Sequence, residues 1–138
     1  MRSLFIVLMV ACSLMAGDRM YGNTRLTEVI RVYDGDTFYG LVKSWPRIIG
    51  DTIGIRVYGI DTPEMRGSSD SIKILAIQAK KFAEEFLMSG GRVRLKDMRR
   101  GKYFRIVAEV WVGRKSLAEE LIKAGLARPY DGGTKQTW

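Results

Sequence analysis

The chain contains no histidine, a single cysteine and no apolar run long enough to cross a bilayer. The absence of histidine excludes imidazole acid–base catalysis, Ser-His-Asp triads and most zinc sites. The one cysteine, Cys12, lies in an N-terminal apolar segment. A chain cleaved after that segment has no thiol, so an oxidising compartment would not damage it. The apolar run 4–11 is shorter than the about 20 residues that a spanning helix needs.

Residues 1–17 have the pattern of a secretory signal peptide. Arg2 supplies the positive charge, residues 4–11 are apolar, and small residues follow at Ala16 and Gly17, near which we expect cleavage. The pattern predicts a secreted or periplasmic protein. An alternative interpretation is that Met9-Val10-Ala11-Cys12 acts as a lipoprotein box, in which case Cys12 carries a lipid anchor and the protein lies at a membrane.

The remaining 121 residues are enough for one domain with a proper core. We predict a polar leader at 18–24, the folded domain at 25–130 and a flexible tail of loop composition at 131–138. The net charge of +8 and the pI of about 9.8 indicate a polyanionic partner. Much of the positive charge is concentrated in one stretch, at Arg92, Arg94, Lys96, Arg99, Arg100, Lys102 and Arg105.

Hydropathy patterns divide the domain into a β-rich first half, a helix, and a second β-rich part. The predicted elements are strands at 26–33, 37–43 and 53–60, a helix at 72–87, strands at 92–96 and 104–112, and a helix at 117–124. Asp34-Gly35 suggests a hairpin turn in which glycine accepts a positive φ, and Ser116 begins a capping box. This order predicts an α+β, mainly β fold. It is the order of an OB-fold, a five-stranded Greek-key barrel with a helix between strands three and four and a short helix after the barrel.

Two carboxylates are placed where neighbouring strands of such a barrel meet. Asp36 follows the first hairpin turn and Asp61 ends the third strand, where Pro63 stops the ladder. Two hard anionic oxygens, together with backbone carbonyls and water, suit Ca²⁺ or Mg²⁺. Arg56 and Arg105 lie on the third and fifth predicted strands, and arginine binds phosphate bidentately. Glu64 is the candidate general base, because histidine is absent.

Three motifs carry a family resemblance: Asp34-Gly35-Asp36-Thr37, then Arg56 five residues before Asp61-Thr62-Pro63-Glu64, then Lys102-Tyr103-Phe104-Arg105. In this order on an OB-like pattern, from about Leu26 to about Ala127, the chain resembles the staphylococcal nuclease (thermonuclease) family, whose domain is called SNase-like. The staphylococcal enzyme has glycine where Phe104 stands, and its long terminal helix has no counterpart here.

The resemblance implies a metal-dependent nuclease that hydrolyses phosphodiester bonds in DNA and RNA with low sequence specificity. It implies Ca²⁺, or another hard cation such as Mg²⁺, bound by the Asp36 and Asp61 carboxylates and the Thr62 backbone carbonyl. Asp34 then corresponds to an acid near the metal.

The catalytic residues that the resemblance implies are Arg56, Glu64 and Arg105. The two arginines would hold the phosphate, Glu64 would orient or activate the attacking water, and Tyr103 would line the nucleotide pocket.

Alternatives remain open. A catalytically inactive OB-fold module would bind nucleic acid without cutting it, and a plain single-strand binder would use the carboxylates only as turn residues. DNA and RNA are the expected partners, and the sequence has no signal for oligomerisation, so we expect a monomer.

Overall fold

The computed structural model describes residues 19–138. The predicted signal peptide at 1–17 and Cys12 lie outside the described residues. The elements are β1 (Thr24–Arg25), β2 (Glu28–Val32), β3 (Thr37–Leu41), a 3₁₀ turn (Arg47–Ile49), β4 (Ile53–Val57), β5 (Ile60–Asp61), α1 (Asp70–Leu87), β6 (Val93–Arg100), β7 (Ile106–Val112), β8 (Lys115–Ser116), α2 (Leu117–Lys123) and β9 (Arg128–Pro129). Among these residues no helix is both long and apolar enough to pass through a bilayer.

The main sheet has the strand order β1-β6-β7-β4-β3-β2, and the short strand β8 pairs with β7 as well. All of its pairs are antiparallel except β4 with β7, which run parallel. A parallel pair needs a crossover connection, and the crossover between β4 and β7 contains α1. The parallel pair therefore brings together two strands that are distant in sequence.

The sheet closes into a barrel through β1 and β2. β1 and β2 are consecutive in the chain, yet β1 pairs with β6 and β2 pairs with β3. Between them, Leu26 N–H donates to the Val93 carbonyl and Thr27 N–H donates to the Leu41 carbonyl. Residues 24–32 thus connect both edges of the sheet. The predicted α+β, mainly β fold of OB type is confirmed.

The core fills the curled sheet and is covered by α1. Phe38, Ile55, Leu95 and Val110 are almost completely buried and come from four different strands. The helix contributes mainly small side chains to this face, at Ala76, Ala79 and Ala83, which lets its backbone approach the sheet closely. Close packing of this kind leaves little freedom in the strand ends, and the candidate site lies at those ends.

Two predicted strands differ from the observed ones because of local backbone geometry. The third predicted strand, 53–60, is broken at Tyr58-Gly59, where Gly59 has φ +81°, and β5 turns away to pair with β9. The fourth continues beyond 96 to Arg100 through a register shift, in which Asp97 has φ 50° and its N–H donates to Asn23 Oδ1. The residues predicted as the polar leader thus take part in the sheet.

The helix signals are found where the sequence places them. Ser116 Oγ accepts a hydrogen bond from Glu119 N–H at the start of α2, as the capping box predicts. Gly125, just after that helix, has φ +71°, as expected for a helix-ending glycine. Gly35 is different: its φ is not positive, so the predicted type I′ turn is wrong, and β2 and β3 are joined by a four-residue loop, 33–36.

Candidate functional site

Arg56 lies between two buried aspartates where strands β3, β4 and β5 meet. Its Nη1 donates to Asp36 Oδ1 at 2.7 Å, and its Nη2 lies 3.5 Å from Asp61 Oδ1. The side chains are 19%, 4% and 8% exposed for Arg56, Asp36 and Asp61. The register of β3 against β4 brings Arg56 to Asp36, because Arg56 lies opposite Thr37, the next residue after Asp36. Such a buried pair is costly to break, since the remaining charge would be left without a partner.

The carboxylate of Asp36 is fixed by further hydrogen bonds. Its Oδ1 accepts from Thr37 Oγ1 at 2.9 Å, and its Oδ2 accepts from Thr62 N–H at 3.2 Å. Glycine is required at 35 by space, because a Cβ there would lie 2.8 Å from Ala79 Cβ and 2.9 Å from Thr62 Cγ2. The loop that carries Asp36 is therefore pressed against both α1 and the segment after β5.

Asp34 stands beside this cluster and is electrostatically unfavourable there. Its Oδ1 accepts a hydrogen bond from Asp36 N–H at 3.1 Å. Burial, and then the nearby charge of Asp36, raise the pKa of Asp34 to about 6. A cation bound beside Asp36 would oppose this effect, because positive charge favours the ionised carboxylate.

Lys135 reaches from the last residues of the chain into the acidic cluster. Its Nζ donates to Glu64 Oε1 at 2.8 Å and lies 2.9 Å from Asp61 Oδ1. Partial burial lowers the pKa of Lys135, but the bonds to Glu64 and Asp61 outweigh it and hold the pKa above its usual value. Among residues 19–138, Asp61 Oδ1 is the one buried side-chain oxygen that accepts no well-aligned hydrogen bond.

Residues 131–138 fold back over the same corner and are anchored by an arginine and an indole. Arg128 Nη1 donates to the Thr137 carbonyl at 2.7 Å, and its guanidinium lies 4.2 Å from the centroid of the Trp138 ring. Trp138 Nε1 donates to Asp61 Oδ2 at 3.3 Å. This stretch, predicted as a tail, contains no helix or strand but contacts the candidate site through two side chains.

A groove of about 1020 Å³ runs past the cluster, and its far wall is basic. Arg105 lines it from the turn before β7, with its aliphatic stem over Gly54 and its Nε 3.4 Å from the Lys102 carbonyl. Arg99 lies over the Tyr58 ring, 3.8 Å from the centroid, on the same wall. The groove thus combines an acidic floor with two guanidinium groups, of Arg99 and Arg105, that form no ion pair within residues 19–138.

The structure brings most of the predicted site residues together around this groove. The lining includes Asp34, Asp36, Arg56, Asp61, Thr62, Glu64 and Arg105. Tyr103 is not among the lining residues; it projects from the turn at the rim, and the residue is 87% exposed.

The contacts of Lys135 with Glu64 and Asp61 and of Trp138 with Asp61 are not predicted by the sequence. Lys135 and Trp138 lie in a stretch of loop composition, and nothing in its sequence indicates that it returns to the first half of the domain. The only available signal was a lysine and an indole among small polar residues, which is weak.

The donor atoms at the floor fit a hard divalent cation. Two nearly buried carboxylates meet there, and one of their oxygens, Asp61 Oδ1, lacks a well-aligned donor. Within the described residues, no three carboxylate, thiol or imidazole side chains lie close enough together to hold one metal ion. A cation would therefore draw further oxygens from the Thr62 carbonyl and from water, which Ca²⁺ and Mg²⁺ readily accept.

The fold and the groove define an OB-type barrel with an acidic, arginine-bridged site, and comparisons with known proteins agree. Residues 54–137 match the family model described as "Staphylococcal nuclease homologue". The chain belongs to this family. The matched region extends to residue 137 and so includes Lys135.

Several curated proteins are similar over most of this chain. "Thermonuclease" of Staphylococcus hyicus is 34% identical over 77% of this chain and 60% of its own length. "Probable endonuclease LCL3" of Podospora anserina is 33% identical over 78% of this chain and 46% of its own. "Endonuclease YncB" of Bacillus subtilis is 34% identical over 76% of this chain and 49% of its own. The chain thus spans about half the length of the curated relatives it matches.

Proposed function

We propose that this protein is a divalent-metal-dependent nuclease that hydrolyses phosphodiester bonds of DNA and RNA with little sequence preference. The observation that carries the proposal is the Arg56 guanidinium, which bridges Asp36 and Asp61 at the floor of a basic groove. Family membership supports it, and so do the names of three relatives, two of them endonucleases and one a thermonuclease. The net charge of +8 suits a polyanionic substrate.

The Asp36 and Asp61 carboxylates and the Thr62 carbonyl would hold the cation, with Ca²⁺ as the first candidate and Mg²⁺ as the second. When bound, such a cation offsets phosphate charge and lowers the pKa of a coordinated water. Its charge would also offset the three carboxylates Asp34, Asp36 and Asp61, which only Arg56 and Lys135 balance within the described contacts.

The arginines and Glu64 perform the remaining tasks. Arg105 and the outer face of Arg56 bind the non-bridging phosphate oxygens and stabilise the extra negative charge of the transition state. Glu64 leaves Lys135 and accepts a proton from the attacking water. The water oxygen forms a bond to phosphorus, one ester P–O bond breaks, and the departing sugar oxygen takes up a proton from solvent.

The test is cleavage of supercoiled plasmid, single-stranded DNA and RNA by the chain from residue 18 onward. Each substrate is incubated with Ca²⁺, with Mg²⁺ and with a chelator. We expect cutting with at least one cation, none with the chelator, and loss of cutting in Asp61→Ala. Asp51→Ala is the matched control, because Asp51 is an exposed aspartate that forms an ion pair with the exposed Arg47 and lies outside the groove.

Binding without cutting in every metal would overturn the enzyme proposal and leave the inactive nucleic-acid-binding module. Cutting that survives the chelator would overturn the metal dependence alone. Equal loss of activity in Asp51→Ala would show that the assay measures general damage and not the site.

We further propose that the protein is exported. The proposal rests only on the pattern of residues 1–17, and intact-mass measurement of the protein recovered from the producing cell tests it. A mass beginning near Asp18 supports cleavage. A lipid adduct on Cys12 would instead support the lipoprotein alternative, and a full-length mass would contradict both.

A further inference from the structure

The turn that connects β6 to β7 carries two neighbouring aromatic side chains in a backbone conformation that does not suit them. Tyr103 and Phe104 both have φ 58°. Arg105 N–H donates to the Lys102 carbonyl at 3.2 Å, and Gly101 N–H donates to the Arg105 carbonyl at 2.8 Å, which closes a tight two-residue turn. Two positive φ values in such a turn favour Asn and Gly, and bulky side chains there are outliers.

Neither ring gains packing in return for this conformation. Tyr103 is 87% exposed and Phe104 is 86% exposed. The Arg100 guanidinium is 6.0 Å from the Phe104 ring centroid and that of Arg105 is 5.9 Å from the Tyr103 ring, both at the limit of a cation–π contact. An exposed phenylalanine in a left-handed turn therefore contributes nothing visible to the fold.

The position of the turn gives the rings a use. Its flanking residues Gly101, Lys102 and Arg105 all line the groove, and so do Arg99 and Arg100 on the strand before it. Exposed aromatic rings beside a basic groove are the arrangement with which proteins bind single-stranded nucleic acid, because the cations follow the phosphates and the rings stack on bases.

We propose that the Phe104 ring stacks on an unpaired base of the substrate. It would thus give the protein a base-binding position outside the catalytic groove. The proposal rests on the proposed function, because it takes single-stranded nucleic acid as the ligand. Tyr103 already has an implied nucleotide role through the family resemblance. Phe104 has none, and the strain, the exposure and the neighbouring cations assign it one.

The test is the affinity for two 12-nucleotide probes in the presence of chelator, which prevents cutting: fluorescein-labelled oligo-dT and an abasic oligonucleotide of equal charge. Phe104→Asn removes the ring and keeps a residue suited to the turn. Because stacking one base typically changes affinity by about five- to 150-fold, we expect a loss in that range for oligo-dT and less than about twofold for the abasic probe. Phe104→Trp keeps a stacking surface and should retain affinity for oligo-dT.

Ile48→Asn is the matched control, since Ile48 is a 95% exposed apolar residue that does not line the groove. It should leave both affinities unchanged. The melting temperature of Phe104→Asn should equal or exceed that of the wild type, because asparagine tolerates positive φ. A clear fall in melting temperature would mean that the ring supports the fold and would overturn the assignment.

The outcomes separate this inference from the proposed function. If the wild type binds oligo-dT but Phe104→Asn binds both probes as the wild type does, the stacking role is wrong and the nuclease proposal stands. An equal loss for both probes would mean that Phe104 acts on the phosphate contacts, which also overturns stacking. If the wild type binds neither probe and cuts no substrate, the proposed function itself fails.

Discussion

Arg56 and Arg105 face the same groove, yet the structure holds them in opposite ways. Arg56 belongs to a buried floor, where it bridges two nearly buried aspartates and extends from the middle of the sheet. Arg105 is half-buried at the rim, directly after a strained turn, and its Nε makes one long contact of 3.4 Å with the Lys102 carbonyl. Arg56 is therefore placed to contribute both to stability and to the proposed catalysis, whereas Arg105 is placed to contribute to the proposed catalysis alone.

The largest effect should come from Arg56→Ala. Removing the guanidinium leaves the buried Asp36 carboxylate without its ion-pair partner and leaves Asp61 with Lys135 as its remaining cation. We therefore expect a loss of about 3–5 kcal/mol in the free energy of unfolding, measured by urea denaturation with chelator. Ca²⁺ should restore part of it, because a cation that binds the folded state stabilises it.

Arg105→Ala is the matched comparison for that measurement. It should abolish most cleavage but change the free energy of unfolding by no more than about 0.5 kcal/mol, as is usual for surface substitutions. A large loss of stability in both variants would show that the rim arginine supports the fold as much as the floor arginine does.

Glu64→Gln should remove activity without affecting the fold. The Glu64 side chain is 64% exposed and its contacts are with Lys135. Losing a general base typically costs about 10²- to 10⁴-fold in rate. Single-turnover cleavage and thermal melting of the same preparation measure both quantities. Unchanged cleavage would mean that another group accepts the proton.

Gly35→Ala tests how rigid the floor is. The added Cβ would clash with Ala79 Cβ and with the Thr62 side chain. Ala79 Cβ is fixed to the backbone of α1 and cannot rotate away, so we expect a loss of about 1–3 kcal/mol in the free energy of unfolding. Gly54→Ala is the control on the rim side, since its Cβ would meet the flexible stem of Arg105 at 3.0 Å. Gly54→Ala should lower the free energy of unfolding much less than Gly35→Ala. An equal loss would contradict the difference in rigidity between floor and rim.

The smallest effect is expected from Lys135→Met. Lys135 and a cation compete for Asp61 Oδ1, and an ion pair with one partly exposed partner is worth about 0.2–1 kcal/mol, so affinity for Ca²⁺ should rise about 1.4-fold to fivefold. Displacement of Tb³⁺, whose luminescence Trp138 should sensitise, reports this affinity without any cleavage assay. Lys73→Met, an exposed lysine paired with Asp70, should change nothing. Weaker binding in Lys135→Met would mean that this lysine helps to hold the metal site.

The sequence predicts the floor better than the rim, for physical reasons. Asp36, Arg56 and Asp61 lie on or beside strands whose alternation and order are visible in the chain, and register then fixes which side chains meet. The break at Gly59 and the extension of β6 past Asp97 depend on single positive φ values, which composition does not reveal.

The contact of Lys135 with Glu64 and Asp61 was not predictable for a different reason. It depends on how a stretch without periodicity packs against residues more than seventy positions earlier, and only tertiary contacts decide that.

The parallel pairing of β4 with β7 joins strands that are far apart in the sequence and brings Arg56 and Arg105 of the groove together. Ile55 lies opposite Ile106, so one register places Arg56 and Arg105, which flank that pair of residues, on the same groove. The pair closes a loop of roughly fifty residues, whereas the β2–β3–β4 meander and the β6–β7 hairpin can each form locally. We therefore expect the two halves to form before Arg56 and Arg105, the proposed phosphate-binding arginines, come together. A chain in which β4 and β7 have not yet paired does not hold the two arginines side by side, so we expect it to be inactive as a nuclease until that pair forms.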